Sequence, residues 1–337
     1  MPPPVVSSVS PNQGSTSGGT TVTVTGSNFT GATIVRFGAK PATSYTVDSP
    51  TQITAVTPSG IGTVNVTVST TQGTSVQVVL FTYVTAPSLS GLSPNQGPVS
   101  GGTTVTLTGA NLSGATAVQF GGVAAASFTV NSSTQITAVA PTRAAGAAAV
   151  TVTTPGGTSN ALTFTYIAAP SVTGVSPNQG PVSGGTTVTL TGANFSGATA
   201  VQFGGVAASS FTVDSSTQIT AVAPAHAVGA VAVTVTTPGG TSNPAGYVYL
   251  DAPVLVSLVP DLGPTDGGTV VTLTGSDLAA TTTVQFGAVS ASFTVASPTQ
   301  ITTVVPTGPA GPVTVTVTTP AGTSNGLTYT RIAAPGI

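Results

Sequence analysis

Cysteine, tryptophan and glutamate are absent from the sequence, and charge of either sign is scarce. Without cysteine there can be no disulfide framework and no thiol chemistry. Charged residues make up 3% of the chain, whereas an ordinary soluble domain has about 25%. The basic residues are scattered, at Arg36, Lys40, Arg143 and Arg331. Because nucleic-acid binding needs clustered positive charge to offset the phosphates, the sequence predicts no nucleic-acid partner.

Long apolar runs and a recognisable leader are also missing. No stretch reaches the roughly 18 consecutive apolar residues of a membrane-spanning helix, so we expect no membrane insertion. The first residues, Met1-Pro2-Pro3-Pro4, have neither the basic nor the apolar region of a signal peptide. The scattered positive charge also argues against binding to anionic lipid surfaces.

Glycine, proline, valine and threonine dominate what is present. Gly (42 residues) and Pro (27 residues) together form about a fifth of the chain. Glycine and proline are typical of turns, and the β-branched residues favour strands. Glycine and proline follow no three-residue period, which excludes collagen, and a hydrophobic fraction of 39% is too high for a disordered tail. The composition therefore predicts an all-β fold.

One sequence pattern occurs four times at a constant spacing of 83 residues. A Ser-Gly-Gly-Thr tetrad begins at Ser17, Ser100 and Ser183, and its fourth form begins at Asp266. A proline and a Phe-Gly pair keep the same spacing, at Pro11, Pro94, Pro177 and Pro260 and at Phe37, Phe120, Phe203 and Phe286. This period is too long for a solenoid unit and suits a small sandwich. We therefore expect four domains, named copies 1 to 4, with the bounds 1–85, 86–168, 169–251 and 252–337.

Short segments of copy 2 alternate apolar and polar residues, as half-buried strands do. In Thr103–Thr108 we expect Val105 and Leu107 to point inward. The other predicted strands are Ser88–Leu92, Ala117–Phe120, Ser127–Val130, Gln135–Val139, Ala148–Thr153 and Ala161–Tyr166, of which the last two pair with each other. Asn95–Pro98 and Gly101-Gly102 are predicted to bound a turn region, and a further turn is predicted at Pro155–Thr158. With no helical periodicity, an all-β sandwich follows.

Each copy ends in a short segment with an Ala-Pro pair. These predicted linkers are Tyr83–Pro87, Tyr166–Pro170, Tyr249–Pro253 and Arg331–Pro335. Because proline restricts the backbone and five residues leave little slack, we expect the domains to follow one another in an elongated row. The final residues, 332–337, match a linker-like tail with no domain after it.

The repeated string resembles the signature of IPT/TIG domains. In copy 1 it comprises Val9–Gly14, Ser17–Thr20, Val22–Phe29 and Val35–Gly38, and it recurs in every copy. The resemblance implies four tandem immunoglobulin-like β-sandwich domains. Such domains occur in cell-surface receptors, bacterial surface proteins and adhesins, glucan-processing enzymes and some transcription factors. Because this chain lacks basic loops and a catalytic domain, the bacterial tandem-array use fits it best.

Copy 4 departs from the shared pattern. It is one residue shorter between Phe286 and Phe293, and Asp266 replaces the serine of the tetrad. Arg331 stands where the other copies have a tyrosine, at Tyr83, Tyr166 and Tyr249. A terminal repeat that differs from the internal ones indicates a cap or a distinct contact.

His226 is the only histidine and the first candidate for acid–base chemistry. It aligns with Arg143 in a loop, so we expect a solvated loop residue rather than a general base. No serine is accompanied by a recognisable base and orienting acid. Glycoside hydrolysis would require paired aspartates, and most copies contain one or none. The sequence thus predicts no catalytic residues, no cofactor and no enzyme.

Four aspartates gather in copy 4 and the linker before it, at Asp251, Asp261, Asp266 and Asp277. Carboxylate oxygens of this kind can bind calcium at domain junctions. Their spacing matches no known calcium loop, and turn and cap roles explain aspartate equally well. We therefore predict no metal site.

Repeated aromatic residues and asparagines have structural interpretations. The phenylalanine of each Phe-Gly pair is predicted to lie in the core, and the glycine to make a turn. The repeated tyrosines either pack at a junction between domains or belong to the core of their own domain. Five Asn-X-Ser/Thr sequons are expected to be incidental unless the chain enters a glycosylating route, at Asn28, Asn65, Asn111, Asn131 and Asn194.

These observations predict an extracellular or cell-surface protein: a structural or adhesive stalk, fibre or appendage subunit that acts through repeated weak contacts. Self-association or binding to other surface proteins is expected, because a surface with little charge lacks the repulsion that keeps proteins apart. The alternative is a carbohydrate- or receptor-binding module on a cell surface, a phage or an injection particle, which predicts an exposed aromatic patch or a polar groove. A fragment of a larger enzyme that carries such domains as passengers is a third hypothesis.

Overall fold

Alternation of threonine with valine or leucine forms strands throughout the chain, and the computed structural model describes residues 2–333. Each copy has ten strands, and no helix occurs among the described residues. The strands of copy 1 are β1 (Val5–Ser10), β2 (Gln13–Ser15), β3 (Thr21–Ser27), β4 (Ala32–Phe37), β5 (Lys40–Pro41), β6 (Ser44–Ser49), β7 (Gln52–Val56), β8 (Gly62–Thr70), β9 (Gly73–Thr74) and β10 (Leu80–Val84). Those of copy 2 are β11 (Ser88–Ser93), β12 (Gln96–Pro98), β13 (Thr104–Ala110), β14 (Ala117–Phe120), β15 (Val123–Ala124), β16 (Ser127–Ser132), β17 (Gln135–Val139), β18 (Gly146–Thr154), β19 (Gly157–Thr158) and β20 (Leu162–Ile167).

Copies 3 and 4 repeat this order. The strands of copy 3 are β21 (Ser171–Ser176), β22 (Gln179–Pro181), β23 (Thr187–Ala193), β24 (Ala200–Phe203), β25 (Val206–Ala207), β26 (Ser210–Ser215), β27 (Gln218–Val222), β28 (Gly229–Thr237), β29 (Gly240–Thr241) and β30 (Ala245–Leu250). Those of copy 4 are β31 (Val254–Val259), β32 (Leu262–Pro264), β33 (Val270–Ser276), β34 (Thr283–Phe286), β35 (Val289–Ala291), β36 (Phe293–Ser297), β37 (Gln300–Val304), β38 (Gly311–Thr319), β39 (Gly322–Thr323) and β40 (Leu327–Ile332).

Two sheets face each other in every copy. In copy 2 the first sheet has the order β11-β13-β17-β16, and the second has the order β12-β20-β18-β14-β15, with β19 paired to β18. The other copies have the same two sheets. All pairings are antiparallel except that of the short second strand, which runs parallel to the last strand of its copy, as Gln96 opposite Thr165 shows. The fold is therefore a repeated immunoglobulin-like β-sandwich, as predicted.

The core of each copy lies between its own two sheets. In copy 2 Val105 pairs with Ala138 and Leu107 with Ile136, and all four side chains are buried. Both inward orientations predicted from the sequence are thus confirmed. The four hydrophobic clusters each draw their buried residues from one copy. Burial of apolar side chains is the main stabilising contribution, so each copy has its own source of stability.

An aromatic chain crosses the second sheet. In copy 2 the rings of Phe120 and Phe164 meet edge to face with centroids 5.4 Å apart, and Phe164 meets Tyr166 at 4.9 Å. The phenylalanine of the Phe-Gly pair is buried in all four copies, which confirms its predicted core role. The tyrosines Tyr83, Tyr166 and Tyr249 belong to the core cluster of their own copy. The sequence left open whether these tyrosines pack at a junction between domains or in the core of their own domain, and the structure supports the second interpretation.

One segment predicted to bound a turn forms a short strand of its own. The chain leaves β11 at Ser93, passes a cis Ser93–Pro94 peptide and pairs residues 96–98 with the last strand. The sequence predicted that Asn95–Pro98 and Gly101-Gly102 bound a turn region, and a turn is present between them at residues 99 and 100. The backbone of residues 96–98 nevertheless completes the edge of the second sheet. The remaining strand predictions for copy 2 agree with the structure to within a few residues at the ends.

The linkers are shorter than predicted. The last strands extend to Val84, Ile167, Leu250 and Ile332, so that only residues 85–87, 168–170 and 251–253 separate consecutive strands. Ladder bonds to the short second strand, such as Pro98 opposite Ile167, account for the extension. Ile332 therefore belongs to a strand rather than to a tail, and residues 334–337 of the predicted tail lie outside the described residues. The chain separates into two compact units, Met1–Ala168 and Ala169–Ile337.

An asparagine ties the first strand of copy 2 to the segment before the last strand. The side-chain oxygen of Asn160 accepts from the Leu89 N–H over 2.8 Å, and its Nδ2 donates to the Leu89 carbonyl over 3.0 Å. Asn243 and Asn325 make the same pair of bonds with Val172 and Leu255. A side-chain amide is suited to this role because it both donates and accepts.

We predict that Asn160→Asp destabilises copy 2. A carboxylate cannot donate to the Leu89 carbonyl, so the free energy of unfolding should fall by about 1–3 kcal/mol. Guanidinium unfolding of the full chain at pH 7 measures the effect. Asn131→Asp is the matched control, because copies 1 and 3 already carry Asp48 and Asp214 at that exposed position. The control should stay within about 0.5 kcal/mol of the parent. Equal losses in both variants would contradict the proposed role of Asn160.

Candidate functional site

Two residue positions that differ between copies meet at one end of each sandwich. The terminal position lies near the end of the last strand and comprises Tyr83, Tyr166, Tyr249 and Arg331. The cover position lies in the loop before β8, β18, β28 or β38 and comprises Gly60, Arg143, His226 and Gly308. The cover residues are equivalent because each backbone N–H donates over 2.9–3.0 Å to a carbonyl at one shared position, that of Thr16, Val99, Val182 or Thr265.

In copy 3 the cover residue lies on the terminal tyrosine. The rings of His226 and Tyr249 stack with centroids 5.0 Å apart and planes 19° from parallel. The Tyr249 hydroxyl donates to the Pro224 carbonyl over 2.8 Å. Burial raises the pKa of Tyr249 to about 12, and the neighbouring Tyr247 adds to the rise. His226 is thus a loop residue, as expected, but its side chain is half-buried against a ring rather than fully solvated, because the loop turns back over the end of the sandwich.

In copy 2 an arginine takes the place of the histidine. Arg143 Nη1 donates to the carbonyls of Phe120 and Gly121 over 2.9 and 2.5 Å. The loop is thereby held to the turn of the Phe-Gly pair. Burial raises the pKa of the neighbouring Tyr166, and the positive charge of Arg143 partly offsets that rise. The guanidinium therefore acts here as a brace between two loops of one sandwich.

In copy 4 the long side chain comes from the terminal position instead. Arg331 is 5% exposed, and its Nη2 donates to the Pro306 carbonyl over 3.2 Å. The cover residue is Gly308, and a Cβ at that position would meet the Arg331 guanidinium. A small cover residue thus accompanies the arginine, so that one long side chain fills the end of the sandwich. The departure noted in the sequence is therefore a change inside the domain.

In copy 1 the cover position leaves space beside Tyr83, and a cleft of about 500 Å³ is present. Its floor includes Phe37, Val64 and Tyr83, and its rim includes Lys40, Ser59 and Ile61. The cover residue is Gly60, which contributes no side chain. Lys40 Nζ donates to the carbonyl and the hydroxyl of Ser59 over 2.9 and 3.3 Å. This cleft, named the copy-1 cleft, is thus mostly apolar with one cation at its rim.

None of these ends has the parts of a hydrolytic site. Among the described residues, the hydrogen bond recorded for the His226 side chain joins Nδ1 to the adjacent Ala227 carbonyl at 2.9 Å. A general base in a catalytic triad is instead oriented by a carboxylate and hydrogen-bonded to a nucleophile. The arrangement at the ends of copies 2, 3 and 4 can fix loops and fill space.

The four aspartates singled out in the sequence do not form one cluster. All are exposed. Asp251 and Asp277 line a common groove of about 230 Å³ in the unit formed by copies 3 and 4, whereas Asp261 and Asp266 are not among its lining residues. Asp277 has φ of +61° and occupies the position of Asn28, Asn111 and Asn194, which have the same left-handed conformation. Within residues 2–333, no three His, Cys, Asp or Glu side chains come together as metal ligands would.

The asparagines of the sequons are hydrogen-bonded within their own copies. Asn28, Asn111 and Asn194 each donate to a carbonyl just before the first strand, those of Pro3, Ala86 and Ala169. Asn65 donates to the Gln77 carbonyl and accepts from the Val79 N–H. Asn131 donates to the side chains of Gln135 and Thr137. The repetition of Asn28, Asn111 and Asn194 thus has a structural reason. The described residues also contain no helix long and apolar enough to cross a membrane.

The sequence interpretation missed the pairing of the cover and terminal positions. Aligning the four copies shows how the two positions vary. The cover and terminal residues are Gly and Tyr in copy 1, Arg and Tyr in copy 2, His and Tyr in copy 3, and Gly and Arg in copy 4. Only the structure shows that the two positions, separated by 23 residues in each copy, meet in space. The sequence therefore identified the variable residues but not their common location.

The fold and these sandwich ends define a chain of repeated immunoglobulin-like domains without an assembled catalytic centre among the described residues. The family model for the IPT/TIG domain matches residues 4–83, 87–166, 170–249 and 253–330. Because these matches span nearly the whole chain, the protein belongs to the IPT/TIG domain family. The resemblance stated from the sequence is thereby confirmed in all four copies.

The individual relatives are similar to this chain over only part of their own length, or in fold alone. Human Fibrocystin-L is 37% identical over 112 residues, which cover 32% of this chain and 2% of that protein. The extracellular region of plexin A4 has 18% identity and a TM-score of 0.35, with 92% of this chain and 35% of that chain covered. Invasin, a bacterial integrin-binding protein, has 16% identity and a TM-score of 0.31, with 97% and 79% covered. The chain thus spans a small fraction of the curated relative it matches.

The buried hydroxyl of Tyr249 predicts a loss of stability at high pH. An unfolded tyrosine loses its proton near pH 10, whereas folded Tyr249 keeps its proton up to about pH 12. Its contribution to folding is therefore complete below pH 10 and declines as the pH rises toward 12. Urea unfolding at a series of pH values measures this decline, which should be smaller in Tyr249→Phe. An identical decline in parent and variant would contradict the assignment.

Proposed function

We propose that this protein is a non-enzymatic structural or adhesive component of the cell exterior, part of a bacterial stalk, fibre or appendage. The four copies, with the bounds 1–85, 86–168, 169–251 and 252–337, act as domains without a catalytic, cofactor or metal site. The contacts of these domains with other copies of the chain, or with other surface proteins, are weak individually and are repeated along the chain. Several similar faces acting together gain affinity through effective concentration rather than through one tight site.

The observation that carries this proposal is a repeated row of threonines on the outer face of the first sheet, a face whose charge is limited to one aspartate in copy 1 and one in copy 3. In copy 2 Thr106 pairs with Thr137, which pairs in turn with Thr129 on the edge strand β16. The same row of three threonines occurs in the other copies, at residues 23, 54 and 46, at 189, 220 and 212, and at 272, 302 and 294. One surface is therefore presented four times.

The edge strands beside these rows have little of the usual protection against pairing beyond a β-bulge in each and an aspartate in β6 and β26. Strands β6, β16, β26 and β36 contain no lysine, arginine or proline. Natural proteins commonly place such residues on exposed edges, because unpaired backbone groups otherwise recruit another chain. The scarcity of charge over the whole surface removes a second source of repulsion. Both features favour association of these faces.

The carbohydrate-binding alternative finds less support in the distribution of aromatic side chains. All the aromatic residues are buried or half-buried, and the half-buried ones are Tyr45, Phe128, Phe211 and Phe293. An exposed aromatic patch was the feature this alternative predicted. The copy-1 cleft is the observation that favours ligand binding.

Placing charge on the edge strands tests the proposal. The change combines Thr46→Lys, Thr129→Lys, Thr212→Lys and Thr294→Lys, all at exposed positions. We expect the parent to associate at high concentration and the variant to associate at least ~10-fold more weakly, because like charges then face each other. Sedimentation velocity over a concentration series measures the association, and electron micrographs of the parent show whether ordered filaments form.

The matched control places the same four charges on the second sheet, at the exposed residues Thr74, Thr158, Thr241 and Thr323. It should associate like the parent if the first sheet provides the contact. A parent that remains monomeric at high concentration would contradict the self-association proposal. Strong binding of the parent to a glycan array would favour the carbohydrate alternative instead.

A further inference from the structure

The copy-1 cleft differs from the equivalent end of every other copy. At that end, copies 2 and 3 place the side chains of Arg143 and His226, and copy 4 places Arg331 from the last strand. Copy 1 has Gly60 at the cover position, and its loop is one residue shorter before the next strand. Three copies thus fill this location with their own side chains. Copy 1 leaves a cleft whose volume of about 500 Å³ lies in the range of small-molecule sites.

We propose that the copy-1 cleft binds a small carboxylate whose body is apolar, such as an aryl or branched aliphatic acid. This inference is independent of the structural role proposed above. It rests on three features of the cleft: a lysine without a carboxylate beside it, a tyrosine hydroxyl without a partner and an exposed isoleucine at the rim.

Lys40 supplies the positive charge. Its ammonium has three donors, of which the bonds to the Ser59 carbonyl and hydroxyl occupy two. No aspartate lines the cleft, and the only acidic residue of copy 1, Asp48, instead accepts from Thr54 over 2.7 Å. The third donor of Lys40 is therefore free for an anion. The other copies have valine at this position, at Val123, Val206 and Val289, so the cation is particular to copy 1.

Arg36 holds the hairpin that carries Lys40. Its Nη1 donates to the Ala39 carbonyl over 2.8 Å, and Ala39 is itself a lining residue. Two of the four basic residues of the chain are thus in one hairpin beside one cleft. In a chain so poor in charge, this concentration gives the cleft a preference for anions over cations.

Tyr83 supplies a second donor. It is 6% exposed, lines the cleft, and its hydroxyl has no hydrogen-bond partner among the described residues. At the same position the Tyr249 hydroxyl of copy 3 donates to a loop carbonyl, whereas the Tyr166 hydroxyl of copy 2 also has no partner among the described residues. A buried donor without a partner is unfavourable, and a ligand oxygen that reached it through a small shift of the Gly60 loop would relieve that cost. Burial raises the pKa of Tyr83, which keeps the hydroxyl protonated as a donor.

The walls of the cleft select an apolar body. Ile61 at the rim is 83% exposed, whereas Phe37 and Val64 form an apolar floor. Covering Ile61 with a ligand removes apolar surface from water, which favours binding. A neutral sugar fits less well, because the rings of Phe37 and Tyr83 are buried and offer no open face for stacking. A phosphate fits less well, since one lysine and apolar walls provide few donors.

The test compares acids with their neutral amides on the full chain. The probes are phenylacetate and 4-methylpentanoate, with phenylacetamide and 4-methylpentanamide as isosteres of similar shape. Isothermal titration calorimetry or ligand-observed NMR should show one acid per chain with a dissociation constant of about 1 mM or lower, and the amides should bind at least ~10-fold more weakly. Equal binding of acids and amides, or no binding of the acids at ~10 mM, would overturn the proposal.

Three variants locate the site. Lys40→Val introduces the residue of the other copies and should reduce acid binding to the level of the amides. Gly60→Arg introduces the cover residue of copy 2 and should abolish binding of both. Val123→Lys places a lysine at the equivalent position of copy 2, where Arg143 fills the end, and should add no second equivalent.

Thermal unfolding of each variant shows whether it folds. A side chain at residue 60 would meet the Tyr83 ring, so Gly60→Arg also risks local disruption. Residue 40 is exposed, so Lys40→Val carries no such risk. If Gly60→Arg does not fold, Lys40→Val therefore decides whether the copy-1 cleft binds the acids. Unchanged acid binding in Lys40→Val, or a second binding equivalent in Val123→Lys, would refute the proposed site.

Discussion

The edge-to-face contact between two aromatic rings of the second sheet organises each copy. It joins Phe37 to Phe81 at 5.3 Å, and the rings at the same positions in the other copies meet at 5.4, 5.2 and 5.5 Å. The ring on the last strand thereby fixes that strand against the strand of the Phe-Gly pair. The terminal position follows two residues later, so this contact also places the side chain on which the end of the sandwich is built.

A core closed within each copy leaves the surface and the loop end free to differ. Buried apolar residues are confined to single copies, so a change at the cover position in one copy leaves the other cores intact. The chain exploits this freedom at one location with Arg143, His226, Arg331 and an open cleft. Meanwhile the threonine rows of the first sheet remain nearly the same in all four copies. Repetition of one face and variation of one end are therefore compatible in a single fold.

The scarcity of charge supports both the proposed association of chains and the proposed anion binding. Exposed threonine and serine hydroxyls solvate the sheets without the repulsion that lysine and glutamate provide, so contact between chains is opposed mainly by the entropy of association. Against this background a single lysine dominates its surroundings, since no counter-charge lies in the copy-1 cleft. The same composition thus underlies both the proposed contacts between sheets and the proposed preference of the cleft for anions.

The sequence by itself determined the repeat, the all-β class and most strands, because alternation of apolar and polar residues with period two is a local property that each strand carries alone. It also determined the inward direction of Val105 and Leu107. The parallel strand Gln96–Pro98 could not be predicted, because its three residues have no pattern of their own and form a strand only through bonds to a partner far along the chain. The tertiary structure alone decided that Gly60 and Tyr83 meet and leave a cleft, since contact between separate loops depends on how the sheets stack rather than on any local preference.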